Sequence, residues 1–195
     1  MSRLAAILLL SIPLQARSQS LPLVEDVEWS AFQQHLSQLL PHLEKMHHPK
    51  AMLAKIHRLI KEKNIDEIQK VLAPLCLIGL HINPESRVKA KPGSASVQLI
   101  LNKPTYFLVQ AHNEGDVKAP VKITGENGQW LQMRITHPSK SSALTGHRLE
   151  YLILKLTAKE SGKREVTFKL DAGQGTQDLG FRAEVPILFH ILKRK

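Results

Sequence analysis

The stretch from Leu149 to Phe189, LEYLILKLTAKESGKREVTFKLDAGQGTQDLGFRAEVPILF, constrains this chain more than any other, because it spells three strands and two turns without a break. In Glu165-Val166-Thr167-Phe168-Lys169-Leu170 the apolar side chains fall on every second residue, so one face can be buried while the charged face meets water. A sheet of this kind needs a second layer to cover its apolar face.

The strand pattern begins well before Leu149. Leu75 to Ile82 is a continuous apolar run stopped by Asn83-Pro84, which suits a strand buried on both faces or one passing between helices and sheet. Further strands are expected at Arg87 to Lys91, Val97 to Leu101, Thr105 to Ala111, Val121 to Thr124, Trp130 to Thr136, Leu149 to Ala158, Glu165 to Ala172 and Phe181 to Phe189. Lys91-Pro92-Gly93, Asn113-Glu114-Gly115-Asp116 and Ser161-Gly162-Lys163 are among the turns that divide them. No helix-length pattern interrupts the series, so βαβ winding is excluded, and a mainly antiparallel, Ig-like β-sandwich is expected over residues 75–192. Its longest gap, His137 to Gly146, reads as a polar loop.

Ahead of the strands the period is helical. Val27, Trp29, Phe32, Leu36, Leu39, Leu40 and Leu43 line one face of Val24 to Met46, with Pro41 expected to break the helix near its end. A second helix is predicted from Lys50 to Lys63, with Pro49 at its start, and a third from Ile65 to Leu72, capped by Asn64 with Glu67 three residues on. The fold class is therefore α+β by segment: a helical section over residues 19–74, then the sandwich, then a basic tail over 193–195. About 55 helical residues form a marginal bundle alone and gain by packing on a sheet.

Residues 1–18 have the form of a cleavable secretory signal: Arg3, the apolar run Leu4 to Leu14, and the small residues Ala16 and Ser18. The mature chain is expected to start near Gln19 and to be secreted or periplasmic, with no transmembrane segment in it. Cys76 is the only cysteine, so no internal disulfide can form, and its setting between Leu75 and Leu77 marks it as a packing residue. Of the formal charge of +10, Arg3 and Arg17 leave with the signal. Seven Lys/Arg balance seven Asp/Glu from Gln19 to Pro74, so the remaining excess of eight lies in the strand-rich part. A basic exported surface attracts anionic protein or polymer, while the spread of lysines also serves solubility. No nucleic-acid reading motif is present, and no nucleic acid is expected as partner.

Few constellations carry chemistry. Glu44, His47 and His48 stand at i, i+3 and i+4, the weak alternative for a metal site, but the H-E-x-x-H order of a zinc protease is absent. His35 and His42 read as residues at the boundary of the apolar stripe. Glu150, Glu165 and Glu184 alternate with apolar neighbours and are expected to face solvent and pair with cations across strands. The loop Asp171 to Asp178 offers two carboxylates, two amides and a hydroxyl. Its order is neither that of a calcium hand nor that of a dinucleotide turn, so a bulged loop between strands competes with a binding patch of Gln174, Thr176, Gln177, Asp178 and Arg182. Trp130 and Tyr106 offer either core packing or a platform for stacking a sugar. No catalytic residue and no cofactor is indicated.

Leu149-Glu150-Tyr151, Gly162-Lys163-Arg164-Glu165, the run Asp171 to Arg182 and Glu184-Val185-Pro186, with Pro74-Leu75-Cys76 to Asn83-Pro84-Glu85 and Val109 to Gly115, carry a resemblance covering about the last 120 residues. They resemble the region of large exported bacterial proteins in which a helical and β-sandwich section precedes a metal-dependent hydrolase domain of the PHP-like superfamily. The histidine- and aspartate-rich metal segments of that hydrolase have no counterpart in this sequence. What the resemblance implies is an accessory module, either standing alone or cut from a longer ancestor. The expected function is thus a non-catalytic exported binding module for protein or anionic polymer. The alternatives are a fragment of a metal-dependent hydrolase and a carbohydrate-binding module.

Overall fold

The structure is a computed structural model that describes residues 20–46, 49–139, 143–173 and 182–193. The signal-like segment, His47, His48, Gln174, Thr176, Gln177 and Asp178 therefore lie outside the described residues.

Three helices lead the chain: α1 (Trp29–Lys45), α2 (Lys50–Lys61) and α3 (Ile65–Leu72), the last passing through a 3-10 turn into the strands. Glu28 caps α1, its carboxylate accepting from the Ser30 and Ala31 amides at 2.9 and 2.7 Å. Asn64 caps α3 by accepting from the Glu67 amide at 3.1 Å, as the spacing of the two residues predicts. Pro41 does not break α1. A proline inside a helix costs about 3 kcal/mol. Leu36, Leu39, Leu40 and Leu43 on either side of it are all buried, and each such side chain returns roughly 1.5–3 kcal/mol, so packing overrides the local preference.

Nine strands follow among the described residues: β1 (Cys76–Ile82), β2 (Val88–Pro92), β3 (Gln98–Ile100), β4 (Pro104–Asn113), β5 (Lys122–Glu126), β6 (Leu131–Thr136), β7 (Leu149–Ala158), β8 (Gly162–Asp171) and β9 (Arg182–Leu192). They form a five-stranded sheet in the order β2-β1-β4-β7-β6 and a four-stranded sheet in the order β3-β9-β8-β5. The sheets are mixed. β1 runs parallel to β4 and β3 parallel to β9, while the other ladders are antiparallel. Alternation of side chains is the same in both directions, so a strand's partner and sense are not written in its own residues.

Two cores result. Between the sheets, Ile78, Leu80, Phe107, Val109, Leu152, Leu154 and Leu156 meet Val166, Phe168, Val185, Ile187 and Phe189. On the outer face of the five-stranded sheet, Phe32, Leu36, Leu39 and Leu43 of α1, with Ile56, Ile68 and Leu72, cover Leu108, Leu149, Tyr151 and Ile153. β7 therefore has no solvent face along Leu149 to Leu154. Cys76 is 1% exposed in the helix-side core, where burial pushes its thiol well up and its Sγ donates to the Leu72 carbonyl at 3.4 Å. No helix among the described residues is long and apolar enough to cross a membrane.

Candidate functional site

The helices cover the β4–β7 side of the five-stranded sheet and leave its β1–β2 side open. Here Leu21 to Val24 crosses the sheet, held to α3 by a clasp in which the Val24 amide donates to Gln69 Oε1 (2.9 Å) and Gln69 Nε2 donates to the Val24 carbonyl (3.0 Å). Gln110 extends the clasp by donating to Gln69 Oε1 at 3.3 Å. The segment lies close because residue 79 is glycine: a Cβ there would fall 2.5 Å from Leu21 Cδ2. Beside it opens a groove of about 410 Å³, lined by Leu21, Gly79, His81, Lys89, Lys91 and His112, among others. Lys89 and Lys91 are exposed on β2 and form no ion pair among the described residues.

One end of the groove carries a cluster that follows from the strand register. His81 on β1 is the direct partner of His112 on β4, and Glu114 lies two residues beyond His112, so all three fall on the outer face. The two imidazoles stack with centroids 4.7 Å apart. His81 Nε2 donates to Glu114 Oε2 at 2.8 Å, and Arg148 donates to Glu114 Oε1 at 3.2 Å. His112 Nε2 stands 3.5 Å from the same Oε1; it is a buried polar atom with no hydrogen-bond partner among the described residues. The hydrogen bond from His81 leads the interactions that hold the Glu114 carboxyl below its ordinary range. Burial, aided by His81 and Arg148, holds His112 below the ordinary imidazole value against the opposing charge of Glu114.

A second cluster of the same composition lies where β6 ends. The last β6–β7 rung is Thr136 with Ile153, and beyond it the β7 edge is closed by side chains. The Tyr151 amide donates to His35 Nε2 at 2.8 Å. The Glu150 carboxylate accepts from His137 Nε2 (3.0 Å), from the Thr145 amide and hydroxyl (2.9 and 2.8 Å) and from the His147 amide (3.2 Å). His137 Nδ1 accepts in turn from the Ser139 amide at 3.1 Å, which leaves Nε2 as the protonated nitrogen. Burial by itself would raise the Glu150 carboxyl; the bonds from His137 and Thr145 outweigh it and set the group below its ordinary value. Burial, with the His137 ring 5.1 Å away, lowers His35 to about 4. The cluster is sealed and serves as a clamp on the connection into β7.

Sequence reading missed both clusters. It placed Glu150 toward solvent, whereas Glu150 is 0% exposed, because β7 is covered on both faces and alternation there separates two cores. Glu165 and Glu184 are exposed as expected, and Glu184 reaches Lys169 across the strands at 3.4 Å. His35, read as a boundary residue, is 2% exposed, while His42 is half-buried and bonded to the Pro138 carbonyl. Of the sequence-predicted site residues, Trp130 is 5% exposed between the sheets, its Nε1 donating to the Asn127 carbonyl and its ring edge-on to Phe189. Tyr106 lies exposed on the opposite face of the sheet under Lys155, so the two rings form no common platform. Arg182 pairs with Asp171 at 3.4 Å, and Glu44 is exposed on α1.

The fold is thus a helix-backed sandwich of two mixed sheets. No protein-family model matches the chain, and no curated protein matches it. Among solved structures it is similar to amebosin, at 7% identity and a TM-score of 0.31 over 57% of this chain and 96% of that one. It is also similar to a cysteine protease inhibitor from Entamoeba histolytica, at 10% identity and a TM-score of 0.30 over 60% of this chain and 95% of the inhibitor.

Proposed function

We propose that the protein is an exported, non-catalytic binding module whose contact site is the groove beside β1 and β2, and that its partner is an acidic protein segment carrying apolar side chains. The observation that supports this most is the composition of the groove: an apolar floor at Leu21 and Gly79 beside Lys89 and Lys91, which form no ion pair among the described residues. A polymer offering charge alone would use the lysines and leave the floor wet, whereas a peptide with alternating acidic and apolar residues uses both. The excess of positive charge in the strand-rich part favours an acidic partner. The signal-like residues 1–18 support export, and the resemblance to the sandwich section of exported multidomain proteins supports an accessory role.

The test is a binding titration with a labelled Glu/Leu-alternating peptide and with polyglutamate. The peptide is expected to bind more tightly than polyglutamate, and Lys89→Glu with Lys91→Glu is expected to weaken it by about tenfold or more. Peptide affinity unchanged by the double charge reversal would sink the reading. Equal affinity for polyglutamate would turn it toward an anionic polymer.

A further inference from the structure

We propose that His81, His112 and Glu114 form a binding site for a divalent first-row transition cation of the zinc class, placed at the end of the outer-face groove. The donor atoms all lie within 4.8 Å of one another, with His81 Nε2 2.8 Å from Glu114 Oε2 and His112 Nε2 3.5 Å from Glu114 Oε1. Ligands at about 2.0–2.1 Å in a tetrahedron stand about 3.3 Å apart, so the cluster is near the required shape before any cation enters. Two imidazoles and one carboxylate are the donor set of zinc, cobalt(II) and nickel(II), and too poor in oxygen for calcium or magnesium.

A second observation singles out this cluster. His112 Nε2 is the buried side-chain polar atom that has no hydrogen-bond partner among the described residues, and a ring nitrogen in that state calls for an occupant. His35, His137 and Glu150, the other group of matching composition, are the contrast: His35 Nε2 already accepts the Tyr151 amide, and the Glu150 oxygens are filled by protein donors. In that clamp His35 Nε2, His137 Nδ1 and the Glu150 oxygens all accept from protein donors.

In the free cluster His81 Nε2–H bonds to Glu114; on binding, the ring carries its proton on Nδ1 and turns the Nε2 lone pair to the cation. Glu114 supplies the charge, and Arg148, at 3.2 Å from Oε1, orients the carboxylate as outer partners of metal ligands do. Arg148 and Lys89, the register partner of His81 on β2, are cations beside the site and moderate its affinity. His81 and His112 line the groove, so three protein donors leave the remaining coordination positions on its side. The site stands on these contacts and does not depend on what else the groove binds.

The experiment is a titration of the full chain, purified without an affinity tag, with Co²⁺ followed by visible absorption, and with Zn²⁺ followed by the imidazole nitrogen shifts in NMR. One equivalent of Co²⁺ is expected to give visible d–d bands that Zn²⁺ displaces, with Zn²⁺ shifting the His81 and His112 nitrogens. His112→Ala and His81→Ala should each weaken binding by at least about tenfold. Glu114→Gln, which keeps the shape of the side chain, should do the same with an unchanged melting curve, which separates lost ligation from lost folding. The variant with both His47→Ala and His48→Ala should bind as the parent does. No binding at one equivalent, binding that survives all three cluster substitutions, or binding lost with His47 and His48 overturns the proposal.

Discussion

Two clusters of the same composition, two histidines and a glutamate, sit on the five-stranded sheet, and they differ in how many of their polar atoms are spoken for. In His35, His137 and Glu150 the carboxylate collects a ring N–H, two amides and a hydroxyl, and His35 receives a strand amide that has run out of strand partners. In His81, His112 and Glu114 the residues are partly open, and one ring nitrogen has no hydrogen-bond partner among the described residues. Residue type does not separate a clamp from a ligand site. Satisfaction of the lone pairs does, because a buried polar atom contributes little when paired and costs about 1–3 kcal/mol when it is not.

The sharpest way to break this contrast is Glu150→Ala. It strips the partners from His137 Nε2 and from the Thr145 and His147 amides in a buried place, and is expected to cost about 3–5 kcal/mol in a denaturant titration. A loss below about 1 kcal/mol would mean that the clamp holds nothing.

Acid should act on the same cluster. The His35 value of about 4 lies below that of the unfolded chain, so the unfolded state binds the proton first and stability falls as pH drops from about 6.5 toward 4, by roughly 3 kcal/mol. His137, His147 and Glu150 are the groups that act on that ring, and Glu150, also set low in the fold, loses its contribution in the same direction as pH falls through its folded value. Stability curves at several pH values, compared between the parent chain and His35→Gln, read this out; equal slopes would remove His35 from the account. The smallest effect is expected at the open cluster: His112→Ala should change stability by less than about 1 kcal/mol, since the ring is partly exposed and the loss of its stack on His81 is offset by removal of a polar atom with no hydrogen bond among the described residues.

Much of the scaffold was legible in the residues. The period-2 runs place β7 at Leu149–Ala158 as observed, and the Asn64–Glu67 spacing marks the start of α3. Pro41 misled because its local cost is smaller than the burial of the leucines around it. The clusters were not legible. His81 and His112 become neighbours only because β1 pairs in parallel with β4 across an intervening β2 and β3, and Glu150 turns inward only because helices and a second sheet cover both faces of β7. A candidate loop from Gln174 to Asp178 drew notice for its polar side chains, whereas the groove has an apolar floor that reads in sequence as ordinary strand.

The chain's own pattern determined that helices precede strands, roughly where most elements run, which residues of β8 face inward, and that positive charge gathers in the strand-rich part. Those properties depend on neighbours a few residues apart, whose spacing is set by covalent geometry. The tertiary structure alone decided which strands pair and in which direction, which side of the sheet the helices cover, and which histidines meet a carboxylate. Such contacts join residues far apart in the chain, and they are selected by the summed burial of whole surfaces, which no short stretch of sequence contains.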